Sequence, residues 1–312
     1  MLDISRKIRT LRIAVAEATL GAAPETIKRI EQQAVPKGNP LEVAKVAAVL
    51  AAKNTSQLIP YCHPLPIDFV GVEYELGKDR ITVTVTVKAI AKTGVEMEAL
   101  TAACAAALTL YDMLKMFDAT MAITGVRLIS KKGGKTDFKE AMTRPLRAAV
   151  LVMSDSIHAG KKDDLSGRLI VERLTAEGFE VVDYKVIPDE ADTIKATLTQ
   201  YADSMKLDLV VTTGGTGFSS RDTTPEAMAS VIEREIPGIP QALRAYGQER
   251  TPYSMLSRGK AGIRGCTIII NLPGSKKGVA ESLDALFPGL QHAFGMLQGT
   301  GSWHREDERA KK

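Results

Sequence analysis

Residues 130–147 read SKKGGKTDFKEAMTRPLR, a polar stretch with paired glycines and a proline, and hydrophobic order restarts directly after it at Ala148. A break of this kind near the middle of a 312-residue chain favours two separate cores. The expected domains are residues 1–147 and 148–300, followed by a polar tail at 301–312. Charge divides the same way: 21 Lys+Arg face 15 Asp+Glu up to Arg147, whereas 20 face 22 in the remainder. The overall +4 conceals this asymmetry and is too mild for wholesale nucleic-acid binding.

Cys62, Cys104 and Cys266 are far apart and form no CxxC pair, which disfavours a disulfide framework or a thiolate zinc site. A reducing cytoplasm is the expected location. The opening residues, with Asp3, Arg6, Lys7, Arg9 and Arg12, contain no apolar stretch suited to a signal peptide. The best apolar run, residues 99–111, is shorter than the ~20 residues a membrane span needs, so no membrane association is expected.

The two halves have different periodicities. In the first, Asn39-Pro40 reads as an N-cap and first helical residue ahead of an Ala/Val-rich helix. Residues 81–87 alternate Ile/Val with Thr, as a half-buried antiparallel strand does. Residues 96–117 lack Gly and Pro and predict a long helix, so the half reads as helices on an antiparallel sheet. In the second half, AAVLVM, FEVVDYKVI, LDLVVT and CTIIINL alternate with helical stretches at 165–177, 191–205 and 225–236. That is the rhythm of a doubly wound α/β domain with a mostly parallel sheet. Ser154-Asp155, Asp189, Thr213–Asp222 and Asn271–Ser275 follow its strands, where ligands of open α/β sheets bind.

The segment TTGGTGFSSRDTTPEA, residues 212–227, leads from a buried strand into a helix. Gly214, Gly215 and Gly217 permit close backbone approach around Thr216, and successive N–H groups can cradle an anion. It is neither a Walker loop nor a complete GxGxxG. Asp189 and Asp222 are hard oxygen ligands suited to Mg²⁺ bridging nucleotide phosphates. Spacing alone fits equally a tight turn in which Thr223 and Glu226 form a capping box.

Together SDS, IPDE, TTGGTGFSSRDTTPEA, SRGKAGIRG and NLPGS resemble the molybdopterin adenylyltransferases of molybdenum-cofactor synthesis over about residues 148–300. The resemblance implies transfer of AMP from MgATP to the terminal phosphate of molybdopterin. It assigns metal-dependent catalysis to Asp189 and Asp222. Ser154, Asp155, Gly214, Gly215, Thr216, Gly217, Asn271, Pro273, Gly274 and Ser275 then belong to the nucleotide and pterin sites.

In the first half, Lys37 precedes a helix start, where dipole and free N–H groups favour an anion, although taken alone a solvated lysine is the commoner reading. His63 sits among three prolines in Pro60–Pro66, and its neighbour Cys62 is expected to point away from it. Asp112 and Lys115 share a helix face, as in any helical salt bridge. Glu98 lies on the same helix but about 21 Å from Asp112, so the two cannot grip one small reacting centre. A long ligand or a second subunit would be needed.

KGNP, LIPYCHPLPI, KTGVEMEALTAACAAALTLYDMLK and VRLISKKGGKTDF resemble cyclic pyranopterin monophosphate synthase over residues 1–145. That resemblance implies a ferredoxin-like α+β fold, hexameric assembly with sites at subunit interfaces, and conversion of a cyclic dihydroguanosine triphosphate to cyclic pyranopterin monophosphate and pyrophosphate. It makes Lys37, Asp112, Lys115 and Lys131 the catalytic candidates, with Arg12, Tyr61, Cys62, His63, Met97 and Glu98 in the substrate site. Tyr61 stands where leucine is usual. Buried lysines tuned towards neutral pKa would suit the proton transfers.

The resulting expectation is a bifunctional enzyme with small-molecule substrates, Mg²⁺ serving the second half and no tightly bound cofactor in the first. The second family's trimeric habit allows a trimer or hexamer about a shared threefold axis. The alternative is that only one half is catalytic, the second acting as a molybdopterin-binding scaffold. Tungsten in place of molybdenum is equally compatible.

Overall fold

A computed structural model describes residues 1–140 and 144–297. The expected polar tail at 301–312 lies outside the described residues. The chain divides into two compact units, the first Met1–Phe138 and the second beginning at Lys139. This division precedes Arg147, because Leu146 and Arg147 already pair with Phe179 and Glu180 in the second unit's sheet.

The first unit runs β1 (Thr10–Gly21), α1 (Pro24–Glu31), α2 (Pro40–Lys53), α3 (Thr55–Leu58), β2 (Phe69–Leu76), β3 (Arg80–Ala91), α4 (Glu96–Leu114) and β4 (Ala122–Lys132). Its sheet has the order β2-β3-β1-β4, with every neighbouring pair antiparallel. The Ile/Val alternation at 81–87 extends in β3, whose Ile81, Val83, Val85, Val87 and Ala89 are buried. In β1, Ala14, Ala16, Ala18 and Leu20 fill the same core. Asn39 caps α2, accepting from the amides of Leu41 and Glu42 at 3.0 and 3.4 Å.

Small side chains set the spacing of the helical layer. Ala44, Ala48 and Ala52 of α2 and Ala99, Ala102, Ala103, Ala106 and Ala107 of α4 are all buried, so the methyl groups allow close backbone approach. By length and composition α4 could cross a membrane, but half of it is buried inside this unit. It stops at Leu114 rather than 117, with Lys115 as its C-cap. Edge strand β4 is exposed along its whole length.

Asp118 ties the turn after α4 to the start of α1. Only 6% exposed, its carboxylate accepts from the Ala23 amide at 2.6 Å, the Thr26 hydroxyl at 3.1 Å, and the Thr120 amide and hydroxyl at 2.9 and 2.6 Å. Burial opposes its charge, but hydrogen bonds from Thr120, Ala23 and Thr26 prevail and hold its pKa at about 2. Asp118→Ala is therefore expected to cost about 2–3 kcal/mol in urea unfolding at pH 7. Because the folded pKa is below the unfolded value, this contribution is present above about pH 4 and fades as pH falls towards 2. An equal cost at both ends of that range would refute the assignment.

The second unit runs β5 (Leu146–Met153), α5 (Asp155–His158), α6 (Leu165–Ala176), β6 (Phe179–Ile187), α7 (Ala191–Thr199), β7 (Leu209–Thr213), α8 (Thr224–Val231), β8 (Arg234–Glu235), α9 (Gly238–Gln248), β9 (Ala261–Arg264), β10 (Thr267–Leu272), α10 (Lys276–Leu286) and α11 (Gly289–Leu297). Its sheet order is β6-β5-β7-β10-β9-β8. The first four strands pair parallel, whereas β9 and β8 extend the edge antiparallel. The helix expected over 225–236 ends at Val231 because Glu233 donates its amide to Ile263 and draws the chain into β8. The helix expected over 191–205 continues beyond α7 as one π-helical turn, Gln200–Ser204. Chain direction across the sheet reverses at β5, placing a ligand-binding switch point between β5 and β7.

Candidate functional sites

At that switch point two glycines have no tolerable substitute. Gly214 has φ +107°, and a Cβ there would stand 2.2 Å from the Met153 carbonyl oxygen. Gly215 has φ +61°, and its Cβ would stand 2.2 Å from Thr224 Oγ1 and 3.2 Å from Asp189 Oδ1. The turn after β10 is stitched to this loop. Thr213 Oγ1 donates to the Pro273 carbonyl at 2.7 Å, and Asn271 Nδ2 donates to Thr212 Oγ1 and the Gly214 carbonyl at 3.0 and 3.2 Å. A Cβ on Gly274 would lie 3.4 Å from Gly214 Cα, while Ser275 caps α10 by accepting from the Gly278 amide at 3.1 Å.

Thr216, Gly217, Asn271, Pro273 and Ser275 line a cavity of about 430 Å³ together with Arg244, Tyr253 and Lys277. Two cations and an aromatic ring suit an anionic, planar ligand. Lys277 follows the NLPGS turn by two residues, whereas Arg244 and Tyr253 belong to no local motif.

Ser154, Asp155, Asp189 and Asp222 lie outside this cavity's lining. Asp155 accepts from the Asp189 amide at 3.2 Å and pairs with Arg221. Asp222 accepts from the Ser219 amide at 2.9 Å, and its Oδ2 lies 2.9 Å from a Cβ built on Gly217. Gly217 thus belongs to both the cavity and the acidic cluster. Ser154 caps α5 through its hydroxyl, 3.4 Å from the Ile157 amide. Burial first, then the charges of Asp155 and Asp222, push Asp189 up to about 6 against the opposing effect of Arg221. Asp189 Oδ1 has no hydrogen-bond partner.

The capping-box alternative does not hold. Thr223 Oγ1 is buried without a partner, and Glu226 pairs with Arg258 at 2.5 Å instead of reaching back to the cap.

The first unit's candidates fall into two groups at opposite ends of α4. At its C-terminal end, Asp112 contacts Lys115 at 2.7 Å and Lys37 at 3.3 Å, and Lys37 also donates to the Asp112 carbonyl at 3.0 Å. The Asp112–Lys115 pair was visible in helical spacing; Lys37 joins it through tertiary folding. Hydrogen bonds and charge from both lysines, Lys115 first, lower the Asp112 pKa, while Asp112 raises that of Lys115. The burial expected of these lysines is not found in the single chain. Their side chains are 41–56% exposed, and Lys115 is shifted upward, away from neutrality.

At the other end, Lys131 pairs with Glu96 at 3.2 Å, and Arg12 donates to the Ala91 carbonyl at 3.3 Å. Arg12 and Lys131 line a cavity of about 310 Å³ with Lys7, Lys132 and Lys135. These last three basic residues escaped sequence assignment to a site. Burial lowers the Arg12 pKa. An adjoining cavity of about 670 Å³ is lined by Tyr61, Cys62, His63, Met97 and Glu98, and shares Lys7, Thr93, Gly94 and Glu96 with the first.

Cys62 Sγ donates to Glu98 Oε1 at 3.3 Å, whereas His63 Nε2 lies 2.9 Å from the Leu2 carbonyl, so the two side chains have different partners although both line this cavity. Burial, reinforced by Glu98, pushes the Cys62 thiol up to about 11; burial also raises Glu98, whose Oε2 has no partner. This pair favours neutral groups.

Residues 1–134 match the MoaC family, and residues 149–292 match the family described as "Probable molybdopterin binding domain". A molybdenum cofactor biosynthesis bifunctional protein from Chlorobaculum tepidum is 43% identical over 301 residues, covering 96% of this chain and 95% of its own length. The chain belongs to this bifunctional family. Its Synechococcus elongatus relative of the same name is 39% identical, covering 96% of this chain and 98% of its own length. Cyclic pyranopterin monophosphate synthase from Aquifex aeolicus is 47% identical over 137 residues, or 44% of this chain and 54% of its own. A member of this family therefore carries both the basic cavity and the glycine-loop site.

Proposed function

We propose that the first unit converts a cyclic dihydroguanosine triphosphate to cyclic pyranopterin monophosphate and pyrophosphate, and that the second adenylylates molybdopterin. The first unit's ferredoxin-like reading is supported by the strand order β2-β3-β1-β4 and by a β-α-β-β-α-β layout whose first crossover holds three helices, α1 to α3. The joined cavities supply a basic end for a polyphosphate and a less charged end for the ring system. Lys37, Asp112, Lys115 and Lys131 are the candidates for proton transfer. The separation along α4 favours a site completed by another copy in a homo-oligomer, trimeric or hexameric. No tightly bound cofactor is assigned to this unit.

For the second unit, the observation that carries the reading is the junction at Gly217 of the acidic cluster with a cavity lined by Arg244, Lys277 and Tyr253. A molybdopterin phosphate oxygen attacks the α-phosphorus of ATP, and the bond to the pyrophosphate oxygen breaks. The Gly215–Gly217 amides and nearby cations would orient and neutralise the phosphates, the Gly214 amide being held by the Leu272 carbonyl at 3.2 Å.

Among the described residues, no three His, Cys, Asp or Glu side chains assemble as a metal cage. The unpartnered Asp189 oxygen and the charge of Asp222 fit the sparser Mg²⁺ mode of one or two carboxylates plus substrate phosphates. Bound there, Mg²⁺ supplies charge neutralisation to the transferring phosphate. Free thiols at Cys62, Cys104 and Cys266 support a reducing cytoplasm.

The test is to give the intact protein each substrate set separately and identify the products. Cyclic pyranopterin monophosphate from the first and adenylylated molybdopterin plus pyrophosphate from the second are expected. Tight molybdopterin binding without pyrophosphate release in MgATP would favour the scaffold alternative for the second unit.

A further inference from the structure

The loop carrying Asp222 is fastened by a residue outside the acidic cluster. Arg258 donates Nε to the Gly217 carbonyl at 2.7 Å, one terminal nitrogen to the Asp222 carbonyl at 2.5 Å, and the other to Glu226 Oε1 at 2.5 Å. Its own amide donates to the Thr216 carbonyl at 3.0 Å. One guanidinium thus joins both ends of residues 217–222 and the first turn of α8. Two carbonyls directed at one place repel each other unless a donor lies between them. A planar fork can satisfy both and the carboxylate, whereas a lysine ammonium lacks that fixed geometry.

The held loop carries the Asp222 carboxylate. Asp222 accepts from the Ser219 amide at 2.9 Å and donates its own amide to the Ser219 carbonyl at 2.9 Å, so the carboxylate's direction depends on loop curvature. We infer that Arg258 is a positioning residue for Asp222, setting its carboxylate against Gly217 through the two carbonyls it clamps. The catalytic consequence rests on the adenylylation reading above; the clamp itself does not.

Hydrogen exchange and turnover of the intact chain test the two parts. Arg258→Lys should speed exchange of the Ser219 and Asp222 amides by about tenfold with Tm unchanged, and Glu226→Gln should move them less in the same direction. Turnover should fall about 10- to 100-fold, with KM for molybdopterin within about twofold. Adding Arg258→Lys to Asp222→Asn should slow the latter no further. Unchanged exchange in both clamp variants, or losses that multiply in the double variant, would overturn the proposal. If wild-type protein releases no pyrophosphate, the adenylylation reading fails while exchange still decides whether Arg258 holds the loop.

Discussion

Asp112→Asn is expected to abolish cyclic pyranopterin monophosphate formation, by roughly 10²–10⁴-fold, while adenylylation by the same protein continues. Asparagine keeps the shape of the side chain but removes the charge shared by Lys115 and Lys37 at 2.7 and 3.3 Å. The cluster is exposed in the single chain, so unfolding should change little. Lys115, raised by its hydrogen bond to Asp112 and then by its charge, should fall back towards the ordinary lysine value. Product formation, followed separately for the two reactions, checks this. Near wild-type synthesis by the variant would remove Asp112 from the catalytic set.

Asp222→Ala is expected to have the opposite selectivity, reducing pyrophosphate release from ATP and molybdopterin by at least about 10²-fold and sparing the first reaction. The change removes the Ser219 amide's acceptor and a carboxylate beside Gly217. It also removes one of the charges raising Asp189, whose pKa should decline from about 6 towards the normal carboxylate range. In wild-type protein the same titration predicts that the Mg²⁺ concentration needed for half-maximal turnover falls between about pH 5 and 7 as Asp189 loses its proton. Loss of both activities from either substitution in a folded protein would contradict independent catalytic units.

Different parts of these sites were legible for different reasons. Asn39-Pro40, the alternation at 81–87 and the paired Asp112 and Lys115 are local patterns that the fold preserves. Lys37 at Asp112 and Asp155 at Asp189 are long-range meetings, which no window of sequence contains. Arg258 was visible only as part of SRGKAGIRG, because the carbonyls that give it a role belong to a loop some forty residues earlier. The antiparallel β9–β8 edge was missed for a related reason: its strands have four and two residues, too few to express a period.

The division of candidates between the ends of α4 also has a genetic meaning. If neighbouring copies complete one another's sites, as proposed, a lesion near Glu98 and a lesion at Asp112 need not fall in the same composite centre. A cell carrying one damaged allele of each kind could then build mixed assemblies in which some centres inherit two sound halves, so alleles that are each silent alone would complement each other.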